Sequence, residues 1–288
     1  MKTNMSLAQA ILLAAVMLAA ANASSKTVPI VKETSATLPG YNIYRPADIK
    51  AGAPLPIITW ANGGCVRSDG TWKTILERWA SEGFFVVAVT SLPDADPRAP
   101  GRFTVEEQAA AIEWAIRENG TSSSPYANRL DVNRIVAAGN SCGGMTSMAL
   151  AARDSRVKSV YILSGSSLGP NTTKEAAGAL MSKVSAPVLF IVGGDEDIAR
   201  KPSNLDYSLL RDGIAAMVVS RASGDHRTIS TDPAIQSDAA DIGVNWLKAT
   251  LYNDKDAIAT LRTKLCAKCD AKIWSAEIKN LGAGKNQP

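Results

Sequence analysis

Imidazole is nearly absent from this chain: His226 is its only histidine. Any step that needs a histidine base therefore has one candidate, since no other unperturbed side chain changes charge near neutrality. Cysteine is scarce too, with four residues. A zinc half-site at Cys266-x-x-Cys269 would need two further ligands, and only Cys65, Cys142 and His226 could supply sulfur or imidazole. Each of those three has another use below, so no metal site is expected. Runs of like charge are missing. The net charge of +4 is spread along the chain, which argues against a nucleic-acid partner. Past the N-terminal segment no apolar stretch is long enough to span a bilayer. No internal repeat is visible, and low complexity is confined to the N-terminal segment and the polar tail Gly282–Pro288.

What is present begins with that segment. Lys2 supplies a positive start, Leu7–Ala21 an apolar run, and Ala21-Asn22-Ala23 small residues for cleavage, the pattern of a signal peptide over residues 1–23. The run is short for a membrane anchor. A secreted or periplasmic protein is expected, with residues 24–288 forming one α/β domain and a short C-terminal tail. Apolar residues make up 46% of the chain, enough for a sizeable core. Export permits disulfides, and four cysteines allow three full pairings. A local Cys266–Cys269 bridge is the expectation near the C-terminus.

Two edge strands are expected around Pro29–Val31 and Tyr41–Tyr44, after which strands and helices alternate. The strands are Pro56–Trp60, Phe84–Val89, Ile135–Ala138, Val157–Leu163, Val188–Val192 and Met217–Ser220. Between them, Trp72, Ile75, Leu76 and Trp79 have helical spacing over Thr71–Ser81. Thr104 and Glu107 form a capping-box pattern for a helix to about Glu118. Further helices are predicted over Gly143–Ala152, Lys174–Ser182, Asp238–Leu251 and Asp256–Cys266. This alternation gives an α/β fold, a mostly parallel central sheet with helices on both faces. Ligands of such sheets sit beyond the carboxyl ends of the strands.

The chemistry-bearing motifs all follow predicted strands. Gly139-Asn140-Ser141-Cys142-Gly143-Gly144 lies between a strand and a helix, where a sharp turn would expose the Ser141 hydroxyl and glycines would let the two elements approach. The bland alternative is Ser141 as a helix cap. Gly193-Gly194-Asp195-Glu196-Asp197 follows Val192 and offers three carboxylates, which could not all be buried ionised. Asp197 is the expected orienter of an imidazole, with Asp195 the runner-up and a solvated acidic turn the alternative. His226 lies in Ser223-Gly224-Asp225-His226-Arg227, past the strand that ends at Ser220. The order Ser141, Asp197, His226 is that of a nucleophile-elbow triad.

Acyl transfer also needs donors for an oxyanion. The expected ones are the N–H of Cys142 and that of Gly64 or Cys65, from the loop Asn62-Gly63-Gly64-Cys65. Both loops carry a cysteine and must converge on one oxygen atom. Cys65 and Cys142 are therefore either bridged, rigidifying the hole, or two free buried thiols. Trp60, Trp72 and Val66 are open between pocket wall and core.

These segments together resemble the α/β-hydrolase superfamily over nearly the whole mature chain. Within it they are most similar to secreted dienelactone-hydrolase-like and polyester-hydrolase-like (cutinase or lipase type) esterases. The resemblance rests on Asn62-Gly63-Gly64-Cys65, Gly139-Asn140-Ser141-Cys142-Gly143-Gly144, Gly194-x-x-Asp197-Ile198-Ala199 and Gly224-Asp225-His226. It implies hydrolysis of carboxylic esters, small or polymeric, through an acyl-serine intermediate and without a cofactor. A peptidase, a thioesterase or a non-catalytic binding protein on the same fold are the rival readings. Two departures stand out: Asn62 replaces a histidine common in lipase-type relatives, and Asp225 and Arg227 flank His226 where small residues are usual. Arg227 is expected to narrow the pocket or to favour an anionic acyl group.

Overall fold

The computed structural model describes residues 28–50, 52–96, 101–169 and 173–283; the expected signal peptide and the end of the tail lie outside them. Nine strands form one sheet in the order β1-β2-β4-β3-β5-β6-β7-β8-β9. They are β1 (Ile30–Ser35), β2 (Leu38–Pro46), β3 (Leu55–Ala61), β4 (Phe85–Val89), β5 (Leu130–Asn140), β6 (Val157–Leu163), β7 (Val188–Val192), β8 (Ala216–Arg221) and β9 (Trp274–Lys279). From β4 through β8 every pairing is parallel. β1 and β2 at one edge and β9 at the other are antiparallel. The mostly parallel sheet expected from the sequence is therefore present.

Central strands buried on both faces read as unbroken apolar runs, and alternate residues divide the core in two. Ile57, Val87, Ala137, Ile162 and Phe190 point to one face. It is covered by α2 (Val105–Gly120), α3 (Cys142–Arg153) and α4 (Lys174–Met181). Ile58, Ala88, Val136, Tyr161 and Ile191 point to the other, under α1 (Lys73–Ser81), α7 (Pro233–Tyr252) and α8 (Lys255–Thr263). The Thr104–Glu107 capping box opens α2 as expected, each residue's backbone N–H bonding the other's side chain.

Trp60 and Trp72 belong to the core, not to a pocket. Both are buried and pack, with Trp79, as an aromatic cluster. Trp60 faces its own sheet side, where α1 brings Trp79 against it, so the wall reading gives way. Val66 is 40% exposed and does not border the cavity described below.

Two helices and one strand were not anticipated. α5 (Arg200–Leu209) is largely polar, with only Ser203 and Asp206 buried. β9 is an edge strand whose Ser275, Ala276 and Glu277 are exposed. A short α6 (Thr228–Thr231) also follows the histidine. All four cysteines are bridged, Cys65 to Cys142 and Cys266 to Cys269, with Cα atoms 5.2 and 5.1 Å apart. Among the described residues no helix is long and apolar enough to cross a membrane.

Candidate active site

Ser141 sits between β5 and α3 with φ +49° and ψ −114°, a conformation that costs a non-glycine residue on the order of 1–3 kcal/mol. Close packing over-determines it. A Cβ on Gly143 would overlap the Ala61 carbonyl at the end of β3, and one on Gly139 would overlap the Gly143 carbonyl. Only glycine at both positions lets helix and strands close on the turn. The Ser141 N–H is tied to the Leu163 carbonyl at 2.9 Å, and Asn140 Nδ2 bonds the same oxygen at 2.9 Å. Ser141 occupies the N-cap position of α3, but its hydroxyl makes no capping hydrogen bond.

The hydroxyl instead meets the one histidine. Ser141 Oγ lies 2.9 Å from His226 Nε2, and His226 Nδ1 lies 2.8 Å from Asp197 Oδ1. A carboxylate only accepts, so Nδ1 carries the proton and Nε2 is left to accept from Ser141. His226 is partly exposed, with Asp197 buried behind it.

Of the three carboxylates after β7, only Asp197 turns inward. Asp195 is exposed and pairs with Arg200 at 2.8 Å; Glu196 is exposed. Asp197 Oδ2 accepts the Gly193 N–H at 2.8 Å, and Oδ1 also accepts the Ala199 N–H at 2.9 Å. Burial pushes its carboxyl up, but the His226 hydrogen bond and those two N–H groups outweigh it and hold the carboxyl below its ordinary range. Asp225 does not orient its neighbour. Its carboxylate accepts from the Arg227 N–H and Thr228 Oγ1, shaping the turn into α6.

The two loops expected to supply oxyanion donors are joined by the Cys65–Cys142 bridge. Cys142 is the first residue of α3, so its N–H has no carbonyl within the helix to bond, and the helix dipole favours negative charge there. On the other side a turn at Gly63–Cys65 has left-handed backbone at Gly64 (φ +61°) and Cys65 (φ +53°). Asn62 braces this turn. Buried, it accepts from Trp60 Nε1 at 2.9 Å and donates to the Val66 and Val89 carbonyls at 3.1 and 2.7 Å.

A cavity of about 100 Å³ opens beside Ser141 and His226. Its apolar wall is Met145, Leu168, Ile198 and Pro202; of these the sequence reading named only Ile198, as a neighbour of Asp197 and not as a wall. Met145 carries a legible signal, four residues after Ser141 on the same helix face, and Ile198 adjoins the acid. Arg227 is exposed and does not border the cavity, so it does not narrow it.

No curated protein sequence matches the chain. A family model described as PET hydrolase-like matches residues 13–275. With that match over most of its length, the chain belongs to the PET hydrolase-like family and is a carboxylic ester hydrolase of α/β-hydrolase fold.

Proposed function

We propose that the protein is a secreted or periplasmic serine esterase in which Ser141 is the nucleophile, His226 the general base and acid, and Asp197 the group that orients the imidazole. The observation that carries this reading is the unbroken hydrogen-bond chain from Ser141 Oγ through His226 to buried Asp197. Ser141 Oγ attacks the ester carbonyl while its proton passes to His226 Nε2. The imidazolium is held by Asp197 until Nε2 returns the proton to the leaving alkoxide, giving an acyl-serine. Water then attacks the acyl carbon as the same nitrogen takes its proton, and that proton returns to Ser141 Oγ as the acyl C–O bond breaks and the acid leaves. Charge on the carbonyl oxygen is met by the N–H of Cys142 and that of Gly64 or Cys65. Two disulfides and the N-terminal pattern of residues 1–23 support export. No step calls for a metal or cofactor.

Hydrolysis of 4-nitrophenyl acetate and butyrate by wild type and Ser141→Ala tests the assignment. Turnover in the wild type that falls by at least about a thousandfold in the variant is expected. Equal rates would overturn it, and amide cleavage without ester cleavage would point to a peptidase. Polyester film belongs in the same panel, since the family's description suggests a polymeric substrate.

A further inference from the structure

The wall of the Ser141 cavity includes a strap, residues 164–168, that leaves the end of β6. It presses directly on the nucleophile: a Cβ on Gly165 would lie 3.0 Å from the Ser141 carbonyl oxygen and 3.1 Å from its nitrogen. Ser164, Gly165, Ser166 and Leu168 all border the cavity. Whatever fixes this strap fixes the space available to an acyl group.

Two residues of α5 grip it. Ser203 Oγ donates to the Gly165 carbonyl at 2.6 Å. One turn on, Asp206 Oδ2 accepts the Ser167 N–H at 2.5 Å and Oδ1 accepts the Ser167 hydroxyl at 2.7 Å. Residues three apart share a helix face, so both grips come from the single buried stripe of an otherwise polar helix. α5 also begins directly after Asp197–Ala199, which ties the strap to the acid loop.

Asp206 is an expensive choice for a merely structural post. It is 1% exposed. Burial pushes its carboxyl up to about 6 against the pull of the two Ser167 groups, with no cation contributing. A buried carboxyl without a cation is costly compared with a neutral residue. What it gains is two acceptor oxygens on one strap residue, fixing both the backbone and the side chain of Ser167.

We propose that Asp206 is a positioning residue for ester selectivity: through Ser167 it holds the strap against Ser141 and keeps the cavity sized for a short, slender acyl group. At about 100 Å³ the cavity is small beside ligand pockets of about 300–1,000 Å³, which suits a few carbons rather than a long chain. This inference rests on the reading that the acyl group of the ester enters the Ser141 cavity.

The test is kcat and KM for 4-nitrophenyl acetate, butyrate and octanoate. Wild type, Asp206→Ala, Asp206→Asn and the double variant Ser167→Ala with Ser203→Ala are compared. Pocket discrimination of this kind is worth about 10–200-fold. Loosening the strap should raise the octanoate-to-acetate ratio of kcat/KM at least tenfold in Asp206→Ala, chiefly through a lower KM for octanoate. Asp206→Asn keeps an acceptor for the Ser167 N–H and should stay within about threefold of the wild-type ratio. The double variant removes the Ser167 hydroxyl bond to Asp206 and the Ser203 bond to Gly165 while leaving Asp206 and the Ser167 N–H bond in place; it should shift the ratio in the same direction as Asp206→Ala, and it supplies the test should that variant fail to fold. A parallel loss on all three esters would reduce Asp206 to a structural role and overturn the inference. Absence of Ser141-dependent turnover in the wild type would instead remove the underlying reading.

Discussion

Replacing Cys65 and Cys142 together by alanine is expected to cost both stability and turnover. The bridge closes a loop of 77 residues, whereas Cys266–Cys269 closes one of three. The loop-closure relation gives roughly 4–5 kcal/mol for the first and roughly 1–2 kcal/mol for the second. For a domain of this size the difference, about 3 kcal/mol, corresponds to a melting temperature lower by roughly 6–12 °C. The catalytic cost has a separate origin. Cys142 begins α3 and Cys65 sits in left-handed backbone; on the proposed mechanism the bridge holds two main-chain oxyanion donors together, and its loss lets them separate. Deleting a single oxyanion donor costs about 10²–10³ in kcat; loosening two without deleting either should cost at least about tenfold. The assay is a urea titration with 4-nitrophenyl butyrate kinetics on wild type and on each alanine pair. Equal midpoints for the two pairs would refute the loop argument. A kcat within twofold of wild type for the Cys65/Cys142 pair would refute the link to the oxyanion.

Other consequences are as direct. Asp206 has a folded-state carboxyl near 6, above the ordinary 3.8, so the folded state holds a proton that the unfolded chain has released. Its effect is absent below about pH 4 and grows as pH rises through 6, reaching a loss of roughly 3 kcal/mol. The stability of Asp206→Asn relative to wild type should therefore rise by about that amount between pH 4 and 7; a constant difference in urea midpoint would contradict it. Asp197→Asn should lower kcat by about 10⁴, because an amide cannot fix the same imidazole tautomer; a loss under tenfold would contradict the orienting role. Gly143→Ala forces a Cβ into the Ala61 carbonyl and should cost about 1–3 kcal/mol together with activity, read from melting and ester turnover. An unchanged melting temperature would show that the elbow is looser than its geometry implies.

The fold was legible where burial writes an unbroken apolar run. Val188–Val192 and Val157–Leu163 have the same bounds in the sequence reading and in the sheet, because a strand covered on both faces has no polar positions to blur it. β9 was invisible for the opposite reason. As an exposed edge, Trp274–Lys279 needs only one anchored aromatic, and its charged remainder resembles a loop. α5 escaped because its buried stripe is Ser203 and Asp206, polar residues whose partner is a strap rather than a core. At the site, the glycine-flanked turn, the chain order and a lone histidine pointed to Ser141, Asp197 and His226, which the fold brings within hydrogen-bonding reach of one another. The cavity wall was not legible. Leu168, Ile198 and Pro202 reach it from separate loops, and no single-chain periodicity encodes that meeting. Trp60 and Trp72 show the same limit from the other side. Both were open between wall and core; strand alternation turns Trp60 inward, and Trp72 packs against it.

Covalent capture of the nucleophile tests the central claim most directly. Incubation with a 4-nitrophenyl alkylphosphonate, followed by intact-mass and peptide analysis, should show one adduct, on Ser141. Capture should slow by at least about a hundredfold in His226→Ala, since general-base assistance is worth about 10²–10⁴ and the chain has no second imidazole. An adduct on another residue, or capture at the wild-type rate without His226, would contradict the account.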